Sequence, residues 1–160
     1  MMYHDIVWYK NLTDSGPAPL EHAVVEAGVT VLMGDVLEQG TATDEVALAE
    51  TADIILGVAT HDAAAGTVVE YVPAYWYCVF AIKSTAANAF DTDEDQYTTS
   101  ALTIVTGATT VDSEEAPAAA NDDVLMIGLA PDETDDEDEN VVLCVFINTP
   151  WTAHAVAAAG

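Results

Sequence analysis

The stretch of residues 54–71, IILGVATHDAAAGTVVEY, is the feature that most constrains the fold of this chain. It opens with an apolar run of strand length, passes through a small-residue turn at residues 63–66, and continues into a second β-prone run. Two apolar runs joined by a Gly-containing connection are typical of paired β-strands. No catalytic residue type clusters in this stretch, so we interpret it as structural.

Short apolar runs of the same kind recur along the chain, separated by Gly, Pro, Asn and Asp. Counted coarsely they give about eight short strands, and no segment between them has the periodicity of an amphipathic helix. The pattern therefore predicts an all-β fold, either a small β-barrel or a sandwich. The other strand-like runs are residues 29–33, 36–37, 46–48, 72–82, 101–111, 124–129 and 141–147.

Two of these runs contain the cysteines, Cys78 and Cys144. The run of residues 72–82 is continuously apolar, as expected for one strand covered on both faces, so its aromatic side chains are predicted to lie mainly in the core. Pro73 suits the start of that strand better than its middle. Thiols in such settings are by default free and buried, with a disulfide between two core strands as the alternative.

The ends of the chain differ from its middle in composition. We predict an N-terminal arm over residues 1–20, the β-barrel domain over residues 21–150, and a short C-terminal tail over residues 151–160. The arm carries large apolar side chains ahead of the breaker-rich residues 11–19, and such side chains must pack on something. Either the arm docks on a neighbouring subunit, or it is the first strand of the same domain.

The charge balance excludes several classes of partner. The chain has 28 acidic residues against two basic ones, Lys10 and Lys83, and its formal net charge is -26. Such a field repels phosphate backbones and anionic lipids, so neither nucleic acid nor a membrane is expected as a partner. Self-repulsion would destabilise the compact state at low salt, whereas at molar salt the Debye length is roughly 3 Å. We therefore expect a protein that works in very high salt; an acidic mesophilic protein is the alternative.

A search for reactive groupings predicts no catalytic residue, no cofactor and no metal site, and we do not expect an enzyme. The chain has no GxSxG, GxGxxG, HExxH or CxxC motif. The segment from Asp91 to Asp95 begins like an EF-hand loop, but Gln96 and Leu102 occupy the positions that need Gly and Glu. The acidic run of residues 131–140 has no fixed ligand spacing. The N-terminus lacks the features of a signal peptide, and no apolar run reaches membrane-spanning length.

Residues 26–148 resemble the small capsid decoration, or cement, proteins of tailed viruses. Those β-rich proteins often show an AG-x-x-V-x-x-GD-V element, then GVA-x-x-x-AAAG, then a V-x-V strand, and they close with IG and a V-rich strand. This chain departs from the pattern in its acidic insertions, its aromatic AYWYCVF run and its Trp-containing arm. The matching residues are Ala27, Gly28, Val31, Gly34, Asp35, Val36, Gly57, Val58, Ala59, Ala63, Ala64, Ala65, Gly66, Val68, Val69, Ile127, Gly128 and residues 141–146.

The resemblance implies a structural protein on the outer surface of an icosahedral capsid, where it stabilises the shell. Its partner would be the major capsid protein, and it would be a homo-oligomer, with a trimer favoured. Combined with the charge, the implied setting is a tailed virus of an extreme halophile. Two alternatives stay open: another virion component such as a turret, fibre-base or tail protein, or a halophilic cell-surface carbohydrate-binding β module. The candidate interface residues are Tyr3, Ile6, Val7, Trp8 and Tyr9 in the arm and Trp151 near the tail.

Overall fold

The computed structural model of the protein describes residues 6–50, 53–84, 91–106, 109–111, 122–131 and 140–151. Tyr3, most of the acidic run of residues 131–140, and residues 152–160 of the predicted tail lie outside these ranges. No helix in the described part of the chain is long and apolar enough to cross a bilayer.

The fold is all-β, as predicted, and contains a closed five-stranded barrel beside two further sheets. The described residues form twelve strands rather than about eight, because residues 7–11, 21–25 and 99–100 also form strands and the predicted run of residues 101–111 is divided into two. The strands are β1 Val7–Asn11, β2 Glu21–Val25, β3 Val36–Gln39, β4 Glu45–Leu48, β5 Ile55–Ala59, β6 Val68–Pro73, β7 Cys78–Lys83, β8 Thr99–Ser100, β9 Leu102–Thr103, β10 Thr110–Val111, β11 Val124–Leu129 and β12 Val141–Phe146, with one helical turn, α1, over Thr92–Asp95.

The barrel closes in the strand order β2-β4-β3-β5-β6. The pair β2 and β4 is parallel, and the remaining pairs, including the closing pair of β2 and β6, are antiparallel. Closure gives each barrel strand a neighbour on both sides, so this part of the molecule presents no strand edge. The barrel interior is filled by small and medium aliphatic side chains, namely Val25, Val31, Leu37, Val46, Ala59, Ala63 and Val69.

The stretch of residues 54–71 supplies two strands of this barrel. β5 and β6 pair antiparallel, with Gly57 opposite Pro73, as the paired-strand interpretation predicted. A Cβ atom on Gly57 would lie 2.3 Å from the carbonyl oxygen of Val72, so only glycine allows β5 and β6 to approach this closely. Gly66, in the connection between the two strands, has a φ of 75°, which favours glycine.

The second layer is an open antiparallel sheet in the order β1-β7-β12-β11-β8, accompanied by the β9–β10 hairpin. One face of this sheet packs against the barrel. Phe80 of β7 and Phe146 of β12 meet there edge to face, with ring centroids 5.0 Å apart. They share one buried cluster with Val36, Ile55 and other barrel residues. The barrel and the sheet therefore share one core cluster, in addition to the separate cluster that fills the barrel interior.

Two predicted strands have a different structure. Residues 29–33 make a single bridge, from Val31 to Ala63, because the Asp35 carboxylate accepts a hydrogen bond from the Leu32 N–H and closes a turn at Gly34. The run of residues 72–82 is also not one strand.

In that second run, β6 ends at Pro73 and β7 begins at Cys78. The residues between them turn, and the N–H of Cys78 donates to the carbonyl of Tyr75 at 2.9 Å. Pro73 thus ends a strand, where the sequence interpretation had it begin one.

Candidate interaction surface

The predicted arm includes a strand of the sheet. β1 pairs antiparallel with β7, and Trp8 lies opposite Phe80. This arrangement agrees with the first-strand alternative for residues 7–11. Among the described residues β1 pairs with β7 alone, so its other side is a sheet edge. A register shift between Trp8 and Lys10 bends this edge, which is a common protection of edge strands against aggregation.

The candidate interface residues divide between the core and the surface. Ile6 is 3% exposed and belongs to the core cluster, and Trp8 packs against that cluster while partly buried. Val7 is 43% exposed. Tyr9 is half-buried and packs on the outer face of the sheet. Among the described members of this set, Val7 is therefore the exposed one.

An apolar groove of about 280 Å³ lies between β1 and the barrel. Three of its lining side chains are large, apolar and well exposed: Val7, Leu20 and Met33. None of its lining residues carries a charge, although the whole chain carries 28 carboxylic acids. We call this feature the apolar groove; it is lined by Ile6, Val7, Trp8, Ala18, Leu20, Met33, Val58, Ala59, Thr60 and Val72.

Four aromatic side chains form a second feature, which we call the aromatic patch: Tyr75, Trp76, Tyr77 and Trp151. Trp151 packs edge to face on Tyr75, with centroids 4.6 Å apart, and Tyr75 lies 5.5 Å from Tyr77. Trp76 stands at 88° to Tyr77, with centroids 5.6 Å apart, and is 61% exposed. The turn between β6 and β7 thus presents one exposed indole supported by partly buried rings.

Carboxylates flank the aromatic patch on two sides. The hydroxyl of Tyr75 donates to Oε1 of Glu21 at 3.4 Å. Burial, followed by the charge of Glu21, raises the pKa of Tyr75. Asp14 lies near Tyr77 and accepts hydrogen bonds from the Asn11 side chain and the Gly16 N–H, which lower the pKa of Asp14. Asp14 is therefore ionised at neutral pH.

The N–H of Leu12 donates to the carbonyl of Tyr77 at 2.7 Å. This bond links the end of β1 to the turn that carries the aromatic patch. Tyr75 in turn contacts Glu21, the residue after Leu20 of the apolar groove. The segments that line the apolar groove and the turn that carries the aromatic patch are therefore connected at the end of β1 and at the start of β2.

A third feature is a set of carboxyl groups where the sheet meets the barrel. The Asn148 side chain donates to the Asp53 carbonyl at 2.9 Å, and the Ile55 N–H donates to the Asn148 carbonyl at 2.8 Å. Burial, then the hydrogen bond and charge of Asp53, raise the pKa of Glu38 to about 7. Glu38 thus titrates near neutrality.

Asp123 is fully buried on the sheet side of this junction. Its Oδ2 accepts the Leu102 N–H at 2.9 Å, while its Oδ1 has no hydrogen-bond partner. Burial raises the pKa of Asp123 to about 6, because an ionised carboxylate there loses its hydration. We interpret Asp123 and Glu38 as groups that make stability depend on pH.

Both cysteines are buried free thiols. Cys144 lies opposite Phe80 and Cys78 opposite Asn11, so neither cysteine has the other as its strand partner. Burial raises the pKa of both thiols, to about 11 for Cys78, which disfavours the reactive thiolate.

Among the described residues, no group of three or more His, Cys, Asp or Glu side chains is arranged to hold a metal ion. Where the sequence resembled the start of an EF-hand, the chain forms α1. There the Asp95 carboxylate accepts the backbone N–H of Asp91 at 2.7 Å.

Sequence reasoning missed much of this surface. Leu20, in the predicted arm, and Met33, farther along the chain, join the apolar groove only through the tertiary fold. The aromatic side chains of residues 75–77 were predicted to lie mainly in the core; Tyr75 and Tyr77 are partly buried and pack against it, whereas Trp76 is exposed. The Pro73 that ends β6 was the available signal that these three residues form a turn.

No protein-family model matches the chain, and no curated protein matches it.

Proposed function

We propose that this protein is a capsid decoration protein of a tailed virus, one that binds the outer surface of the shell and stabilises it in very high salt. The order of its AG, GD, GVA, AAAG and IG elements supports this proposal, as does an all-β fold built around a small closed barrel. The function is structural: it requires a binding surface and no reactive group.

The observation that carries the proposal is the uncharged, apolar groove on a chain of net charge -26. Exposed apolar area rimmed by polar surface marks sites of protein interaction. In molar salt, apolar burial is strengthened by excluded salts while charge contacts are screened. A protein that must stay attached under those conditions is expected to dock through such a groove.

Binding to capsids tests the docking surface directly. Met33 lines the apolar groove and Ile54 lies outside it, and both side chains are 52% exposed, so they form a matched pair. In co-sedimentation with purified capsids in concentrated KCl, Met33→Asp should bind at least about tenfold more weakly than the wild type, because docking would bury an unpaired charge. Ile54→Asp should bind normally. Equal binding by both variants would show that the apolar groove is not part of the interface with the capsid.

Point substitutions are preferable to removal of the arm. Ile6 is buried in the core and β1 completes the sheet, so deletion of residues 1–19 would remove packed structure along with surface. The major capsid protein is the proposed partner. Regular density for this protein outside the shell in images of purified virions would agree with decoration; density at the tail or at a turret would favour another virion component.

Salt dependence tests the proposed environment. Raising KCl from about 0.1 M to about 3 M should raise the melting temperature, since screening removes the self-repulsion of the acidic surface. A melting temperature that stays constant or falls would favour the acidic mesophilic alternative. Mass measurement in the same buffers tests the proposed trimer, which rests on the family resemblance.

The aromatic patch favours one further candidate, the carbohydrate-binding β module. Exposed indoles flanked by hydroxyl and carboxylate groups are a surface on which sugar rings stack, and Trp76 offers such an indole. Retention of the protein on a neutral polysaccharide matrix in concentrated KCl, lost in Trp76→Ala, would support this function over decoration.

A further inference from the structure

The exposed ring of the aromatic patch is oriented by its neighbours. Tyr77 stands perpendicular to Trp76, and Tyr77 is itself supported by Tyr75, against which Trp151 packs. Trp76 contacts Tyr77, which contacts Tyr75, which contacts Trp151, and Trp76 itself is still 61% exposed. Two rings at right angles form an open corner, and their faces carry the negative part of the aromatic quadrupole.

The surroundings of this corner add negative charge. Glu21 lies at hydrogen-bond distance from Tyr75. Burial, followed by nearby negative charges that include Asp14, raises the pKa of Tyr77. The combination of ring faces and nearby carboxylates attracts cations, as in the aromatic cages that bind ammonium groups. The chain also contains one such contact of its own, since Lys10 Nζ lies 5.8 Å from the centre of the Tyr9 ring.

We propose that the aromatic patch receives an arginine or lysine side chain from the surface of the protein partner, with Trp76 as the ring that contacts the cation. The inference rests on the proposed decoration function and names the chemistry of the partner at one part of the docking surface. A second copy of this chain is a poor source of the cation, because the chain contains no arginine and only two lysines.

High salt favours this contact over ordinary ion pairing. At molar ionic strength charge attraction is screened beyond roughly 3 Å. A guanidinium placed directly on an indole is in contact and partly desolvated, so its attraction to the ring is retained. The net charge of -26 makes cations the complementary groups on any partner, and the aromatic patch gives them a place to bind that does not depend on long-range attraction.

The test uses two short capped peptides of the same length and similar side-chain shape that differ in charge: Gly-Arg-Gly-Arg-Gly and the same peptide with citrulline in place of arginine. Citrulline keeps the planar shape and loses the positive charge. Affinities of the wild type and of every variant are measured in concentrated KCl by isothermal titration calorimetry. In the wild type, the indole N–H resonance of Trp76, assigned by its absence in Trp76→Leu, shows whether the peptide contacts that ring. We expect the arginine peptide to shift this resonance and to bind at least roughly fivefold more tightly than the citrulline peptide.

Variants separate a cation–π contact from simple apolar contact. Trp76→Phe keeps a ring and should retain most of the affinity, whereas Trp76→Leu keeps apolar area without a π face and should lose roughly fivefold. Tyr97→Leu is the control, because Tyr97 is also an exposed aromatic, at 70%, but lies beside β8 at the opposite edge of the sheet. Equal binding of the two peptides, or undiminished binding by Trp76→Leu, would overturn the inference.

Capsid binding separates this inference from the function on which it rests. If the wild type binds capsids and Trp76→Leu binds them equally well, the decoration function stands and the cation contact is wrong. If the arginine peptide binds through Trp76 but the wild type does not bind capsids, the cation site stands and the decoration function is wrong. Tighter binding of a neutral oligosaccharide than of the arginine peptide would overturn the cation site in favour of a sugar ligand.

Discussion

The closed barrel pairs each of its five strands on both sides, whereas the five-stranded sheet leaves β1 and β8 at its edges. The two regions also differ in their interiors. The barrel interior contains valine, alanine and one leucine among its buried residues, while the sheet contributes Phe80 and Phe146 to the core that joins it to the barrel. The barrel is therefore the more regular region, and the sheet contains the larger side chains and the open edge.

This difference indicates how the two regions divide their roles. The barrel provides one wall of the apolar groove, through residues such as Val58 and Val72, and the β1 edge provides the other. The aromatic patch comes from the turn that connects the barrel to the sheet, together with Trp151 after β12. Both candidate surfaces thus lie where the closed region meets the open one, and the packing between the regions determines their shape.

The largest expected effect comes from breaking that packing. Phe146→Ala removes a fully buried ring that contacts Phe80, and it should lower the free energy of unfolding by about 3–5 kcal/mol. Because the core is shared, the loss should appear in one transition, measured by denaturant titration with tryptophan fluorescence and far-UV circular dichroism. Val68→Ala, at a side chain 57% exposed, is the control and should change stability by less than about 0.5 kcal/mol. Separate transitions for barrel and sheet would contradict the shared core.

A smaller loss of stability is expected when a glycine in a barrel strand is replaced, and it can be compared with the same change in a strand of the sheet. Gly57→Ala places a methyl group against the Val72 carbonyl and should cost about 3 kcal/mol, because backbone atoms of β6 would have to move. Gly128→Ala in β11 of the sheet meets nothing closer than the Gln96 side chain, 3.9 Å away, and should cost less than about 1 kcal/mol. Thermal melts in concentrated KCl compare the two. Similar costs would mean that β5 and β6 do not approach as closely as described.

The sheet contains a buried carboxyl group whose titration affects folding. The ordinary pKa of an aspartate is 3.8, and that of Asp123 in the folded protein is about 6. Folding therefore favours protonated Asp123. Its contribution to the free energy of unfolding is complete below pH 3.8 and is lost as the pH rises through about 6. Asp123→Asn should gain about 2 kcal/mol over the wild type at pH 8 and nothing at pH 3.5. Denaturant titrations across this range measure the difference; a variant that is less stable at both pH values would contradict it.

The barrel also contains a carboxyl group with a raised pKa, and this group titrates at a higher pH than Asp123. Glu38 has its pKa raised from 4.5 to about 7, by burial and then by Asp53, so its contribution is lost as the pH rises through about 7. Glu38→Gln should therefore gain about 1 kcal/mol over the wild type at pH 8.5, a smaller gain because water screens this side chain. Glu45→Gln, also in the barrel, is the control. Equal pH dependence in both variants would exclude Glu38 as the titrating group.

The sequence was sufficient to predict the all-β fold class and one pair of barrel strands. The β5–β6 pair was predictable because the small-residue turn that ends at Gly66 separates two apolar runs. The division of the chain into barrel and sheet was not predictable from the sequence. Both regions consist of short β-prone runs, and they differ mainly in strand partners that are distant in sequence. Residues 29–33 show the limit clearly: their alternation resembles a strand, but Asp35 closes a turn there instead.

The candidate surface was only partly predictable, for a related reason. Val7 and Trp151 were predicted as interface residues because large apolar side chains near chain ends need a partner. Met33 and Leu20 gave no such signal, because exposure depends on the tertiary packing that leaves them beside β1. The exposure of Trp76 was not predicted, because a continuous apolar run does not show where a strand ends.

The smallest expected effect separates the two tryptophans of the aromatic patch. Trp151 is half-buried and packs on Tyr75, so Trp151→Leu should cost about 1 kcal/mol of stability through the lost edge-to-face contact. Trp76 is mostly exposed, so Trp76→Leu should change stability by less than about 0.5 kcal/mol. Denaturant titrations of the two variants in concentrated KCl give both values. A larger loss for Trp76→Leu than for Trp151→Leu would show that Trp76 is a packing residue, and its exposed indole would no longer be available to a partner.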